Sequence, residues 1–104
     1  MTWYLVDDKL WGHPKATGAG LPAMGLWVMA GSWSASYLTE GHVPAGFVKG
    51  NVARRAAAQL VEVGLWIPTD DGWQFHDWLE NQRSRAQVLA KREAERKKKQ
   101  RQRE

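Results

Sequence analysis

Cysteine is absent from the 104 residues, so neither a disulfide nor a thiolate metal ligand is available to this chain. The composition is compatible with a reducing compartment. No run approaches the ~20 apolar residues that a bilayer requires, because the most apolar stretch, Leu21 to Ala35, is interrupted by Gly and Ser. No signal peptide is visible. The phosphate-loop spacing G-x-x-x-x-G-K-[ST] is missing, although Gly12 to Gly20 (GHPKATGAG) sets Lys15 among glycines. No Ser-His-Asp spacing or nucleophile elbow occurs. His13, His42 and His76 have no i, i+4 pairing. His42, His76 and Asp77 would form at most a two-His, one-carboxylate metal set, and ordinary strand-surface histidine is the simpler reading. Asp70 and Asp71, adjacent in a turn, lack the burial that shifts carboxylate pKa values in a catalytic pair. These absences predict no enzyme, no cofactor and no metal.

What the chain does contain is aromatic bulk and a divided charge. Seven Trp, two Tyr and two Phe offer enough ring area for one core without staples, and the length suits one small domain. Residues 1–80 carry five Lys/Arg against eight Asp/Glu, and residues 81–104 carry ten against three. A mildly acidic body therefore bears a strongly basic tail, the signature of contact with nucleic acid or another polyanion.

Periodicity and punctuation give the elements. Thr2 to Val6 is β-prone, Asp7-Asp8 suits the cap of a short turn, and Gly12 to Gly20 reads as a loop. Leu21 to Tyr37 is apolar on two sides, with Pro22 in the first turn, so it predicts a central helix on which Trp27 is core and Gly25 and Gly31 admit neighbouring helices. A strand near His42 precedes a short helix opened by Pro44 and covering Ala45 to Lys49. Gly50 ends it, and Asn51 caps a longer helix to Val63. In that helix Val52, Ala56, Leu60 and Val63 form the packing stripe, and Arg54, Arg55, Ala58, Gln59 and Glu62 face outward. Gly64 stops it. Leu65 to His76 is a hairpin turning at Asp70-Asp71-Gly72, with Pro68 confining the outgoing strand to a sheet edge. From Asp77 a helix can run nearly to the end. Trp78, Leu79, Ala86, Val88 and Leu89 are available to dock its first turns on the body or on a second copy, and the rest is a solvated basic helix or disordered.

The expected fold is α+β, mostly α: a winged helix-turn-helix with a two-stranded wing and a long basic C-terminal helix. Residues 1–90 are expected to form the domain and residues 91–104 the tail. The segments AMGLWVMAGSW (Ala23 to Trp33), TEGHVP (Thr39 to Pro44), LVEVGLW (Leu60 to Trp66) and FHDW (Phe75 to Trp78), followed by the Arg/Lys tail, resemble the winged-helix proteins of actinobacterial phages and prophages. They are similar to the N-terminal domains of phage replication initiators and replisome organisers. The resemblance implies a fold and binding of double-stranded DNA, in replication initiation or transcriptional regulation within the host cytoplasm, and no catalytic residue.

On the residues themselves, Arg54, Arg55 and Gln59 are expected to read bases, with Lys49 and Asn51 on phosphates. Arg83, Arg85, Lys91, Arg92, Arg96, Lys97, Lys98, Lys99, Arg101 and Arg103 are expected to add affinity without sequence information. The rival expectation is a module that binds a replication or host protein through the acidic body, with the tail as its only nucleic-acid contact. The acidic hairpin tip favours it. A homodimer through the C-terminal helix is a further expectation.

Overall fold

The computed structural model describes residues 2–103; the outer ends of the two expected segments, Met1 and Glu104, lie outside them. The chain is α+β and mostly helical. Helices α1 (Pro14–Ala19) and α2 (Leu21–Tyr37) precede strand β1 (His42–Pro44), then come α3 (Asn51–Glu62), β2 (Trp66–Thr69), β3 (Gly72–Phe75), α4 (Trp78–Asn81) and α5 (Arg85–Arg103). Single 3-10 turns occupy Leu10–Gly12 and Ala45–Phe47. From α2 to β3 the order is that expected of a winged helix-turn-helix, except that a single 3-10 turn stands where the short helix was expected.

The strands form one antiparallel sheet in the order β1-β3-β2. Pro68 therefore lies on an edge strand, where its missing N–H leaves no ladder bond unmade. Gly72 opens β3 opposite Pro44, so close to β1 that a Cβ there would sit 2.0 Å from the Val43 carbonyl oxygen. Buried Val43, Leu60 and Trp66 form the core with the small residues Ala23, Ala30, Ala56 and Ala57. Helices α2 and α3 approach through these alanines, and Phe75 and Trp78 close the end of the core. Ser34, fully buried on α2, accepts the Gly41 N–H at 2.7 Å, and Thr39 donates to the His42 carbonyl at 2.8 Å. Together these bonds fix the turn that delivers β1.

Several expectations are corrected. The Gly12 to Gly20 loop contains α1, because the His13 side chain caps the Lys15 N–H, Pro14 sits at the first helical position, and the terminating glycine, Gly20, comes only at φ 88. Thr2 to Val6 pairs with no strand. Its Leu5 backbone bonds the Gln82 side chain instead, donating at 2.9 Å and accepting at 2.6 Å. The helix expected over Ala45 to Lys49 is reduced to a 3-10 turn, with Pro44 held in β1. Gly50, at φ 88, occupies the cap position of α3, so Asn51 is its first residue and supplies no side-chain cap. Val52, expected in the packing stripe, is 73% exposed, and the buried face runs through Ala56, Ala57 and Leu60. Gly31 admits not a helix but the ring of Tyr4, and Gly25 faces open space. Trp27 is half-buried against the core, its ring 5.6 Å from Tyr4 and 5.9 Å from Phe75.

The helix expected from Asp77 onward is broken. Gln82 is extended at φ −118 and ψ 157 while it holds Leu5, and Ser84 restarts the helix as a cap. The Ser84 N–H donates to Gln87 Oε1 at 2.8 Å, and Ser84 Oγ accepts the Gln87 N–H at 3.2 Å, a reciprocal capping box.

Candidate nucleic-acid interface

Helix α3 ends in a Schellman arrangement: the Leu65 N–H reaches the Leu60 carbonyl at 2.9 Å, and Gly64, at φ 84, bonds the Val61 carbonyl. This stop turns the chain directly into β2, so the hairpin and α3 are held together at that joint. At its other end the first turn follows Gly50 and has no side-chain cap, which leaves free N–H groups and the positive end of the helix dipole at the surface.

With Ala56, Ala57 and Leu60 buried, α3 presents Asn51, Arg54, Arg55 and Ala58 to solvent, with Gln59 half-buried. Consecutive residues point about 100° apart on a helix, so Arg54 and Arg55 cover different sides of that face. Arg55, Asn51 and Gln59 line a groove with Ala19, Gly20 and Pro22 at the α1–α2 junction, and Arg54 lies outside it. Lys49 is exposed just before the helix. Among the described residues no carboxylate is within ion-pair distance of Lys49, Arg54 or Arg55. Glu62, exposed at the far end of α3, is the one acidic residue on the helix.

The hairpin tip has the opposite sign. Asp70 and Asp71 form the two residues between β2 and β3 and are exposed. Asp71 is anchored: its carboxylate lies 3.4 Å from His42 Nε2 and accepts the Thr69 hydroxyl at 3.1 Å, while its carbonyl accepts the Ala45 N–H at 2.8 Å. His76 instead contacts Asp77. The two histidines are thus engaged by different carboxylates, and no group of three metal-ligating side chains occurs among the described residues. No helix among those residues is long and apolar enough to cross a membrane.

The basic tail stands apart from α3. Val88, the buried residue of α5, borders a small cleft with Ala35 and Leu38 at the C-terminal end of α2, whereas the groove that Arg55 lines lies beside Pro22 at the N-terminal end, roughly 20 Å of helix away. Arg83 and Arg85 flank this docking point beside Glu40, whose carboxylate accepts the Arg85 N–H at 3.4 Å. Beyond it Lys91, Arg92, Arg96, Lys97, Lys98, Lys99, Arg101 and Arg103 are exposed along the projecting helix. Arg96 bridges to Glu93 at 2.7 Å and holds that carboxyl below the usual range. Arg92 makes one long contact, 3.4 Å, to the Thr2 hydroxyl. The cations singled out in the sequence therefore form two groups, one on α3 and one on α5. Sequence reasoning passes over Lys15, expected as a loop residue. It is half-buried beside Gly64, and only the fold brings those two positions together. No protein-family model, curated protein or solved structure matches the chain.

Proposed function

We propose that the chain binds double-stranded DNA with α3 in the major groove. The observation that carries this reading is the exposed, unpaired pair Arg54 and Arg55 on the helix between the 3-10 turn and the hairpin. Arginine pairs bidentately with guanine and Gln59 with adenine, while Lys49, Asn51 and the open first turn of α3 suit phosphates. The α5 cations add sequence-independent affinity through counterion release. The protein would then act in replication initiation or transcriptional control, in a bacterial cytoplasm if phage-encoded, and without catalysis. Leu79 and Leu89 remain exposed near the start of the tail and offer apolar contacts for a second copy on a palindromic site.

Selection from random duplex DNA should yield a preferred site. Removal of either base-reading Arg should then cost ~1–3 kcal/mol of discrimination. A folded Arg54→Ala, Arg55→Ala double variant that holds the selected site as tightly as the parent would remove α3 from the interface.

The acidic hairpin tip and the distance between the two cationic groups favour a second reading. In it the body binds a replication or host protein, and α5 alone meets nucleic acid.

A further inference from the structure

A cleft of about 270 Å³ opens between the N-terminal segment, α1, α2 and the β3–α4 junction, away from the exposed face of α3. We propose that it binds a small aromatic carboxylate. The cleft is lined by the rings of Tyr4, Trp27, Phe75 and Trp78, which already contact one another at 5.3 to 6.5 Å between centroids where they pair edge-on, tilted or stacked. Such walls favour a further ring, which can add edge-to-face or offset contacts, over an aliphatic chain. The volume lies just below the ~300–1,000 Å³ usual for drug-sized ligands, so one or two rings fit and a nucleotide does not.

The rim specifies the charge. His13 Nδ1 accepts the Lys15 N–H at 3.2 Å, so in the neutral imidazole the proton sits on Nε2, which is left as a donor. Lys15 is half-buried, and among the described residues its ammonium has no carboxylate within ion-pair distance. The rim carboxylates are engaged, Asp77 with His76 and Asp7 with the Lys9 N–H at 2.8 Å. Both residues line the cleft, and an ammonium with one imidazole N–H supplies the number of donors that a single carboxylate takes. Asp7 and Asp77 keep their charges on the same rim, so the cleft tolerates at most one negative charge, seated at the Lys15 end, and a dianionic phosphate is disfavoured.

The position gives an occupant leverage on the fold. Lys15 Nζ lies 3.8 Å from where a Cβ on Gly64 would stand, and Leu65 and Phe75 line the same cleft. A ligand there touches the joint between α3 and the hairpin. Binding itself does not depend on any nucleic acid and is measured on the full chain alone.

Calorimetric titration and the indole N–H signals of Trp27 and Trp78 would be followed with benzoate, phenylacetate and naphthoate, and with their uncharged amides and cyclohexanecarboxylate as controls. The aryl carboxylates should bind saturably and shift both signals, and the controls should bind much more weakly. Lys15→Met should weaken binding about tenfold or more, since it removes a charge-assisted bond, and Lys15→Arg should retain most of it. Asn81→Trp, at an exposed position on the cleft, should block it without touching the core. The proposal is overturned if no aryl carboxylate binds saturably up to millimolar concentration, if the amides bind equally well, or if a folded Lys15→Met variant binds like the parent.

Discussion

Tyr4 is held in the core by its ring but has nothing to bond with its hydroxyl, which is buried without a hydrogen-bond partner. Tyr4→Phe should therefore leave stability at neutral pH unchanged or slightly raised, because it deletes an unsatisfied polar group and keeps the ring contacts with Trp27 and Trp78. Burial pushes the phenol well above its ordinary pKa. Below about pH 10 both states are protonated and the group contributes no slope; above it the unfolded phenol ionises while the folded one does not. The parent should then lose up to about 1.4 kcal/mol per pH unit more than Tyr4→Phe, a difference readable by urea unfolding at neutral and alkaline pH. The same ring explains Gly31. A Cβ there would stand 2.2 Å from Tyr4 Cζ, so Gly31→Ala should destabilise by ~1–3 kcal/mol, and a Tyr4→Ala background should relieve most of that cost in a double-mutant cycle. Neither effect is legible in the sequence. Gly31 reads there as a contact between helices because periodicity gives the face on which a residue lies and not the partner that arrives there.

At the scale of elements, what the sequence discloses is what local rules control. Helix α3, its Gly64 stop, the hairpin and edge-bound Pro68 follow from turn residues and period, whereas the cap expected at Asn51 does not form. What it hides is set by long-range bonds. Gln82 breaks the C-terminal helix because it bonds Leu5, a residue 77 positions away, in competition with its own helix. The β-prone Thr2 to Val6 run joins no strand, and at Leu5 its backbone is bonded by the Gln82 side chain instead. Helix α1 is hidden differently: its glycines mask a His13 cap and Pro14 start that together suffice for a short helix. The Ser84–Gln87 box stands in the sequence as S-x-x-Q, but the unbroken helical composition on both sides of it conceals a restart. With Val88 its one buried residue, α5 draws little stability from packing. Ser84→Ala should weaken its start by ~1 kcal/mol and lower far-UV helical signal, with the cooperative melting of the body unchanged.

For the whole molecule, the proposed binding of DNA turns on the relation between the two cationic groups. The exposed face of α3 is legible from helical period, but its separation from the α5 docking point is not, because that depends on which parts of α2 border each helix. From Lys91 onward the described tail buries no apolar residue, and its contacts with the body reduce to the long Arg92–Thr2 bond and a shallow seat beside Val88. Truncation after Ala90 should accordingly leave the thermal midpoint of the body nearly unchanged. If α3 reads DNA, truncation should weaken all duplexes alike and preserve their rank order. The slope of log K against log salt should become shallower by ~0.9 for each phosphate that the shortened chain no longer neutralises. If the acidic body binds a protein and only the tail meets nucleic acid, the same truncation should abolish duplex binding and spare the protein partner. A sharply lowered midpoint would show instead that α5 is packed, against the body or a second copy through Leu79 and Leu89. Sedimentation of the truncated and full chains separates those two cases, because only the second changes mass with concentration.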